Sequence, residues 1–308
     1  MSVYLVTGGT GTIGSAVVRR LLASGDDDVV VFSRDEDKQH KMKMEFRNDR
    51  LHFQIGDVRD YYSVDKAMKI YRPEYVFHAA AMKHVPFCED FVLEGVKTNV
   101  LGSNNVFDAA ISNGVKKVVF LSTDKAVEPS CIMGMSKAIA EKLIDEKVKY
   151  ANGTVFCATR FGNIIRSRGS VVLVFEEQIR EGKPLTITDP YMTRFIMSVD
   201  EAVDLVMYAF ENGKQGDLFV YNAKSCMIYD LATAVEMING AKCEHVVIGN
   251  RGNEKMHESL LSEEEMAHSK FNGKFYVVNK AYENEGDSYC LRSDKDPINI
   301  SEIIKYLV

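Results

Sequence analysis

The amino-acid sequence predicts an α/β fold built on a doubly wound parallel sheet. Short apolar runs alternate with helical segments of roughly 10 to 20 residues up to about position 160, which is typical of parallel strands joined by crossover helices. A glycine-rich turn joins the first apolar run to the first helical segment, and small polar residues follow several later runs. Ligands bind such sheets beyond the carboxyl ends of the strands, so these polar residues form the candidate site.

Length and composition allow a large hydrophobic core and exclude several classes of protein. The chain has 308 residues, of which 46% are hydrophobic, and a net charge of -6, whereas a nucleic-acid-binding surface needs clustered lysines and arginines. The six cysteines lie far apart, which fits neither a disulfide framework nor a zinc site, so we expect reduced thiols and no metal. The apolar run at the start is too short for a signal peptide or a membrane span. We therefore expect a soluble, cytoplasmic protein without nucleic-acid or membrane partners.

Residues 3–6 are predicted to form a buried strand, and a glycine-rich turn follows at once. Its glycines have the spacing GxxGxxG, which allows a tight turn, close approach of a pyrophosphate and tight packing of the next helix on the strand. That helix would offer free N–H groups to the phosphates. The position between a first strand and a first helix favours dinucleotide binding over a turn without a ligand. The predicted cofactor contacts here are Gly8, Thr10, Gly11, Thr12, Ile13 and Gly14.

The second strand, residues 28–32, ends in Ser33 and Arg34, and this ending favours NADP over NAD. A carboxylate at this strand end would bind the ribose 2′-hydroxyl of NAD, whereas an arginine accommodates a 2′-phosphate. Lys38 and Lys41 lie nearby in the sequence and add positive charge. Asp35 keeps an NAD site possible, and a solvated charged loop is the alternative without a ligand.

The third and fourth strands, residues 51–55 and 75–78, also end in groups suited to a cofactor. An aspartate after the third strand can accept a hydrogen bond from the adenine amino group or cap the next helix. Alanines after the fourth strand let the backbone approach the ribose and pyrophosphate, and a loop with a lysine and His84 follows. The predicted helix near position 99 buries an asparagine, whose amide needs partners. The cofactor contacts expected from this part are Asp57, Val58, Ala79, Ala80, Lys83 and Asn99.

The fifth strand, residues 118–121, ends in Ser122, Thr123, Asp124 and Lys125. A helical pattern that carries Lys137 begins eight residues later and is predicted to run to about position 150. A carboxylate and an ammonium side by side at a strand end can act as acid and base on one substrate. A surface ion pair in front of a helix is the structural alternative.

Beyond position 163 the pattern changes, and we expect a second, smaller part of the protein there. We predict a dinucleotide-binding domain at 1–165 with about 195–222, and a C-terminal substrate-binding lobe at about 166–194 and 223–308. Arginines near a glycine suit bidentate contacts to phosphate, and three separate basic groups favour an anionic substrate over solvated loops. The substrate contacts predicted from these segments and from the loop after the fourth strand are Lys83, His84, Asn163, Arg168, Arg194 and Glu258, with Arg251 in the same charged cluster as Glu258.

The glycine motif, the Ser-Thr strand end and the lysine of the next helix resemble the extended short-chain dehydrogenase/reductase superfamily, which has a Rossmann-type domain. Its usual catalytic pattern is Tyr-x-x-x-Lys; here Lys137 fills the lysine place and Met133, which cannot exchange a proton, stands in the tyrosine place. A narrower set of motifs resembles the C5-inverting UDP-N-acetylglucosamine 4,6-dehydratases, in the Met-x-x-x-Lys branch of capsule and O-antigen synthesis that leads to UDP-N-acetyl-L-fucosamine. These motifs lie at residues 80–86, 122–126, 160–163, 166–171 and 187–195.

The resemblance implies a lyase with a tightly bound NADP that is recycled at each turnover. NADP+ takes hydride from C4 of the sugar, water is lost across C5 and C6, and hydride returns to C6 while a proton reaches C5 from the other face. Lys125 is expected to remove H5 and Asp124 to protonate the departing hydroxyl, with Ser122 or Thr123 on the C4 oxygen. Lys137 is expected to hold the nicotinamide ribose, and Lys125 or a water relay to replace the missing tyrosine.

The resemblance also implies a UDP-sugar substrate and a homo-oligomer, a hexamer or a dimer. Three alternatives remain open at this point. A nucleotide-sugar 4-epimerase generally needs the tyrosine that Met133 replaces, and a retaining dehydratase usually has Asp-Glu where this chain has Asp124-Lys125. A non-catalytic NADP-binding sensor has no need for an Asp-Lys pair or a basic lobe.

Overall fold

A computed structural model describes residues 2–250, 252–283 and 289–308 of the chain. Its strands, in chain order, are β1 Val3–Thr7, β2 Asp28–Ser33, β3 Leu51–Ile55, β4 Tyr75–His78, β5 Lys117–Leu121, β6 Val155–Arg160, β7 Asn163–Ile164, β8 Leu185–Ile187, β9 Thr193–Met197, β10 Leu218–Tyr221, β11 Lys224–Met227, β12 His245–Val247, β13 Ser259–Leu261, β14 Ser269–Phe271, β15 Phe275–Val278 and β16 Leu291–Arg292.

The α-helices lie between these strands in nearly regular alternation through β6. They are α1 Thr12–Ser24, α2 Glu36–Phe46, α3 Tyr61–Tyr71, α4 Val85–Asp90, α5 Val92–Val96, α6 Gly102–Ser112, α7 Ile132–Lys147, α8 Val171–Arg180, α9 Val199–Asn212, α10 Ile228–Ile238, α11 Glu263–Ala267 and α12 Ile300–Leu307. A π-helical turn, Lys97–Leu101, joins α5 to α6, and 3₁₀ turns occupy Asp124–Ala126 and Val148–Tyr150.

In the described part of the chain, the main sheet has the strand order β14-β15-β10-β6-β5-β4-β1-β2-β3. All pairings from β3 to β10 are parallel, and β15 and β14 add antiparallel strands at one edge. The predicted doubly wound α/β fold is thereby confirmed. The order reverses between β1 and β4, so the carboxyl ends of these two strands border the crevice in which such sheets bind ligands.

Two hydrophobic layers cover the faces of the main sheet because its central strands are apolar on both sides. Leu5, Val76 and Phe120 pack toward α3, α6 and α7 on one face. Val6 and Val31 pack toward α1 and α9 on the other. Burial on both faces is expected of parallel strands with near-continuous apolar sequences.

The chain beyond β6 builds three small sheets, β11-β9-β7, β12-β8 and β13-β16, of which the first two contribute to a separate apolar cluster. Helices α8, α10 and α12 supply much of that cluster, including Phe175, Leu231 and Ile303. Residues Ser269–Phe271 and Phe275–Val278, which the sequence analysis assigned to the lobe, form strands of the main sheet instead. The division into two domains at the stated boundaries remains a prediction.

Two features of the elements differ from the sequence-based expectation. The helix expected to run to about position 150 ends as α7 at Lys147 and continues as a 3₁₀ turn. The loop expected at 82–86 becomes helical from Val85, with Pro86 in the first turn, where a missing N–H costs no helical hydrogen bond. In the described residues, every helix is too short or too polar to cross a membrane.

Candidate active site

The glycine-rich turn packs so closely against its neighbours that side chains are excluded from it. A Cβ on Gly8, whose φ is +66°, would lie 2.7 Å from Cα of Ala80, and a Cβ on Gly14 would lie 2.4 Å from the Gly8 carbonyl oxygen. Gly11 precedes α1 without any side-chain cap, so the first N–H groups of the helix remain open to a ligand. This cradle fits a pyrophosphate, and it brings the predicted residues Gly8, Gly14 and Ala80 together.

The predicted 2′-phosphate residues at the end of β2 are partly engaged with protein groups. The Ser33 hydroxyl accepts a hydrogen bond from Gln39 at 3.0 Å, and Lys38 forms an ion pair with Asp35 at 2.5 Å. Arg34, with 54% of its side chain exposed, lies 3.6 Å from Asp57. Arg34 is therefore the most available of the predicted cations at this strand end.

Asp57 and Val58 lie at the carboxyl end of β3. Burial raises the pKa of Asp57, but hydrogen bonds from Arg59 and the charge of Arg34 outweigh it, so the pKa is lowered overall. Val58 is buried, and its carbonyl accepts a hydrogen bond from Asn105 at 3.0 Å. The carboxylate of Asp57 is thus held in its ionised form by two arginines.

Asn99 forms hydrogen bonds with the protein backbone. Its oxygen accepts from the Met82 N–H at 2.8 Å, and its amide donates to the Met82 carbonyl at 2.9 Å and to Ser136 at 2.9 Å. Both amide hydrogens are used, so Asn99 fixes the path of the chain after β4. A direct cofactor contact by Asn99 remains a prediction.

Five charged or polar side chains meet at the carboxyl end of β5. The Lys125 ammonium lies 3.1 Å from Asp124 Oδ1, 3.1 Å from Asn163 Oδ1 and 3.4 Å from Glu258 Oε1. Thr123 donates its hydroxyl to Asp124 at 2.9 Å. Asp124 and Glu258 are 0% and 3% exposed, so the two carboxylates are held away from solvent, whereas Lys125 is partly exposed. The predicted catalytic pair and two predicted substrate residues therefore form one unit.

The protonation of this cluster follows from its charges. Burial lowers the pKa of Lys125, but the carboxylates of Asp124 and Glu258 more than compensate, and the pKa is raised overall. One oxygen of each carboxylate, Oδ2 of Asp124 and Oε2 of Glu258, is buried without a hydrogen-bond partner among the described residues, as is the hydroxyl of Ser122. Buried polar atoms are normally paired, so these free acceptors mark a site that a ligand would complete.

Met133 and Lys137 occupy successive turns of one face of α7. Met133 is 5% exposed and packs with Cys88 and Cys131, away from any polar partner. Lys137 donates to the Leu121 carbonyl at 2.7 Å and lies 4.4 Å from the centre of the Phe120 ring. Burial lowers the pKa of Lys137 to about 8. An ammonium that is easily deprotonated thus lies beside β5.

The predicted phosphate-binding groups lie in two different places. Arg194, 7% exposed, donates to the carbonyls of Thr193 at 2.8 Å and Met256 at 3.3 Å, with its Nε 3.9 Å from Glu258. Arg168 instead lies on the glycine-rich turn, where it donates to the Thr10 carbonyl at 2.9 Å. Arg194 thus belongs to the cluster around Lys125, while Arg168 borders the glycine-rich turn. Arg251 falls outside the described residues.

Sequence reasoning missed several residues that position the site. A Cβ on Gly134 would lie 2.2 Å from the Lys125 carbonyl oxygen, so only glycine lets α7 approach the strand end this closely. Glu89 accepts from the Ile132 N–H at 2.7 Å and thereby caps α7. A glycine in the first turn of a predicted helix could have indicated the close approach at Gly134. The cap by Glu89 could not be predicted, because Glu89 and Ile132 are remote in the sequence.

A buried ion triad was also missed. Arg160, 2% exposed, binds Glu141 of α7 at 2.6 Å and Glu265 of α11 at 2.9 Å. Burial lowers the pKa of Arg160, and the two carboxylates raise it by more. The triad ties the helix that carries Lys137 to the segment that follows Glu258.

Comparisons with known proteins agree with this fold. The family described as "Polysaccharide biosynthesis protein" matches residues 4–280. A UDP-glucose 4-epimerase of Rickettsia canadensis (strain McKiel) is 51% identical over 280 residues, which cover 89% of this chain and 82% of the relative. The X-ray structure of Pen from Bacillus thuringiensis is 36% identical and has a TM-score of 0.94 over 99% of this chain and 98% of its own.

A more distant solved structure shares the fold alone. It is DesIV (dTDP-glucose 4,6-dehydratase) from Streptomyces venezuelae with NAD and TYD bound, 22% identical with a TM-score of 0.73 over 82% of this chain and 88% of its own. The sheet therefore occurs in proteins named for both epimerisation and dehydration, and the side chains at the strand ends must distinguish these reactions.

Proposed function

The chain belongs to the polysaccharide biosynthesis protein family, and from that premise we propose that it catalyses the inverting 4,6-dehydration of UDP-N-acetylglucosamine. At the coarser level it is a nucleotide-sugar enzyme of the epimerase/dehydratase class. The observation that carries the finer proposal is the buried cluster of Lys125 with Asp124 and Glu258.

The proposed reaction needs a proton to leave C5 and another to reach the hydroxyl on C6, and the cluster around Lys125 has groups for both transfers. Loss of water across C5 and C6 requires a base for H5 and an acid for the departing C6 hydroxyl. Reversible oxidation at C4 alone requires only one group that exchanges the 4-hydroxyl proton. Two carboxylates and one ammonium at a single strand end exceed the needs of a 4-epimerase, and Met133 lacks the hydroxyl that such an enzyme would use.

NADP, tightly bound and recycled at each turnover, is the proposed cofactor, and when bound it would exchange hydride with C4 and C6 of the sugar. The crowded glycine turn fits its pyrophosphate, since a Cβ at Gly8 or Gly14 would fill the cradle. Arg34 and Lys38 would meet a 2′-phosphate, and Lys137 would hold the nicotinamide ribose. The NAD in the DesIV structure supports a nicotinamide cofactor of either kind here.

The ion contacts bear on which group takes H5. The sequence assigned that step to Lys125, but a raised pKa keeps its ammonium protonated at rest. We therefore propose that Lys125 donates a proton to the departing hydroxyl and that a carboxylate accepts H5 through a free oxygen of Asp124 or Glu258. Ser122, whose hydroxyl is unpartnered, would bind the C4 oxygen, because Thr123 already donates to Asp124.

Incubation of the purified protein with UDP-N-acetylglucosamine in deuterated water, followed by proton NMR, tests the reaction. We expect a 4-keto-6-deoxy sugar of L-arabino configuration that carries deuterium at C5. An unchanged spectrum from protein that retains NADP would favour a binding protein over an enzyme with this substrate. A product epimerised at C4 that keeps its 6-hydroxyl would replace the proposal with the 4-epimerase reading.

That alternative has its own support, because a relative with 51% identity is named UDP-glucose 4-epimerase. The same NMR assay with UDP-glucose, run in parallel, discriminates between the two readings. Conversion of UDP-glucose to a C4 epimer without deuterium at C5 would favour epimerisation, since that reaction leaves the C5–H bond intact.

The division of acid and base roles is tested by Lys125→Met in the same assay. If Lys125 is the acid, the variant should exchange deuterium into C5 but fail to lose the C6 hydroxyl. If Lys125 is the base, the variant should show no deuterium at C5 at all. Asn163→Ala is the matched control, because Asn163 contacts the same ammonium but carries no proton for transfer.

We also propose that the protein forms a homo-oligomer through an exposed apolar surface of its helices. Helices α4, α5 and α7 pack side by side and leave large apolar side chains exposed. Among them, Phe87, Leu93 and Ile139 are 60%, 63% and 50% exposed. An apolar helical surface of this kind supports a homo-oligomer, as a dimer or within a hexamer.

A further inference from the structure

The loop at residues 166–170, here called the arginine loop, lies directly on the glycine-rich turn. Arg168 Nη2 donates to the Thr10 carbonyl at 2.9 Å, and its backbone N–H lies 3.5 Å from the Thr12 hydroxyl. The loop follows β7 and precedes α8, so it enters the cofactor cradle from the segment predicted to bind substrate. A side chain from outside the first βα unit thus borders the place where the cofactor's phosphates would lie.

The arginine loop is held in this position by the chain after β4. Lys83 Nζ donates to the Arg168 carbonyl at 2.6 Å. Gly169 has a φ of +74°, and a Cβ there would lie 2.3 Å from the His84 ring. Any other residue at 169 would clash and strain the backbone. The placement of Arg168 is therefore built into the fold rather than left to a free surface side chain.

The charge around Arg168 is not neutralised by the protein. A cavity of about 340 Å³ separates the glycine turn from α2, and its lining includes Thr10, Ser15, Arg19, Lys38, Lys41 and Arg168. Three of these cations have carboxylate partners, in Arg19–Glu45, Lys38–Asp35 and Lys41–Asp37.

Arg168 differs, since no carboxylate of the described residues lies within ion-pair distance of it, and the same holds for Lys83. Burial and the nearby Arg168 charge lower the pKa of Lys83. Two cations without carboxylate partners thus lie at one junction and are available to bind an anion.

We propose that Arg168 binds the ribose 2′-phosphate of NADP across the cavity from Lys38, so that a residue of the substrate-side loop selects the cofactor. The proposal rests on the proposed use of NADP. The cavity lies against the first turns of α2, immediately after the end of β2, where the adenosine ribose of a bound dinucleotide would lie. A planar guanidinium suits bidentate contact with a phosphate, and its other N–H groups keep the bond to Thr10.

Isothermal titration of cofactor-free protein measures this directly, without any turnover. The ligands are NADP+, NAD+, 2′,5′-ADP and 5′-AMP, which differ in pairs by one 2′-phosphate. In Arg168→Ala we expect about 10- to 100-fold weaker binding of NADP+ and 2′,5′-ADP, with NAD+ and 5′-AMP unchanged. Arg166→Ala is the matched control: it lies in the same loop but pairs with Glu176 at 2.9 Å, and we expect wild-type affinities.

The outcomes separate this inference from the proposed function. Equal weakening of NADP+ and NAD+ in Arg168→Ala would assign the arginine to the pyrophosphate and overturn the inference. Unchanged binding of all four ligands would overturn it as well. If the wild-type protein itself bound NAD+ at least as tightly as NADP+, the proposed cofactor would fail, whatever the variant did. Arg168→Lys should restore part of the preference for NADP+, because it retains a charge without the bidentate geometry.

Discussion

The Lys125 ammonium lies 3.4 Å from the Glu258 carboxylate, although the two residues come from opposite parts of the chain. Asp124 contacts the same ammonium at 3.1 Å. Lys125 thus contacts two buried carboxylates, each of which keeps one oxygen without a hydrogen-bond partner among the described residues. The tertiary structure therefore adds a third ionisable group to the Asp-Lys pair of the sequence.

Replacement of Glu258 by glutamine should lower turnover while leaving the fold intact. The amide keeps the shape of the side chain but removes the charge that helps to raise the pKa of Lys125 and a possible acceptor for H5. We expect kcat to fall about 100-fold with a small change in KM, measured by NMR or by coupled product detection. Glu254→Gln, four residues earlier, is the control and should retain wild-type kcat. Wild-type turnover in Glu258→Gln would remove Glu258 from the chemistry.

Alanine at position 134 should destabilise the protein and displace Lys125. The added Cβ would lie 2.2 Å from the Lys125 carbonyl oxygen, so either α7 or the strand-end turn must move. We expect the free energy of unfolding to fall by roughly 1–3 kcal/mol, measured by urea denaturation, together with a loss of activity. Gly95→Ala is the matched helical control, since its nearest neighbours lie at 3.8 Å, and it should be neutral or stabilising. Equal effects of the two substitutions would contradict the close-approach explanation.

The pH dependence of stability should reveal the lowered pKa of Lys137. Its pKa of about 8 in the folded protein lies below the 10.5 of a free lysine, because burial disfavours the charge. Between these values only the unfolded chain holds the proton, so this group makes the free energy of unfolding rise with pH, by about 1.4 kcal/mol per pH unit. Below pH 8 both states are protonated, so Lys137 no longer makes the free energy of unfolding depend on pH, and its buried charge destabilises the folded protein fully.

Lys137→Met should lack that slope when urea denaturation is repeated from pH 7 to pH 10. The difference between wild type and variant isolates Lys137 from other groups that titrate in this range. Lys142→Met, on the exposed face of the same helix, should retain the wild-type slope. Parallel curves for wild type and Lys137→Met would mean that the buried lysine keeps its ordinary pKa.

Leucine at position 133 should be nearly neutral for catalysis. Met133 packs in an apolar cluster with Cys88 and Cys131, so its thioether fills space and exchanges no proton. We expect Met133→Leu to change kcat by less than about threefold in the NMR assay, because volume-conserving core substitutions are well tolerated. Met133→Tyr provides the contrast: if it raised the rate of C4 oxidation many-fold while Lys125→Ala left that rate unchanged, Lys125 would not be replacing the missing tyrosine.

Charge on the exposed helical surface should alter the oligomeric state. Leu93 of α5 and Leu101 of the following π-helical turn are 63% and 52% exposed, and burying glutamate in a subunit contact is unfavourable. We expect Leu93→Glu combined with Leu101→Glu to elute as a smaller species in size-exclusion chromatography with light scattering. Ile70→Glu, at a similarly exposed isoleucine of α3, is the control. An unchanged mass in the double variant would place the subunit contact elsewhere.

Much of the fold could be predicted from the sequence because its signals are local. The apolar runs of β1 to β6, the glycines of the first turn and the helical periods between them each depend on neighbouring residues. The same is true of the strand-end positions of Ser33, Asp57 and Asp124, since parallel strands present their carboxyl ends at one edge. The elements after β6 could be predicted less completely, because these strands are short and pair with distant partners, as β15 does with β10.

The sequence by itself therefore determined the parallel sheet, the cofactor cradle and the identity of the Asp-Lys pair. Tertiary structure alone decided that Glu258 meets Lys125 and that Arg168 lies on the glycine turn. It also decided that Asn99 binds the Met82 backbone. These contacts join segments that are not adjacent in the chain, and the first two depend on how the chain beyond β6 packs against the sheet. The raised pKa of Lys125 arises from the same packing, because electrostatic coupling requires both proximity and burial.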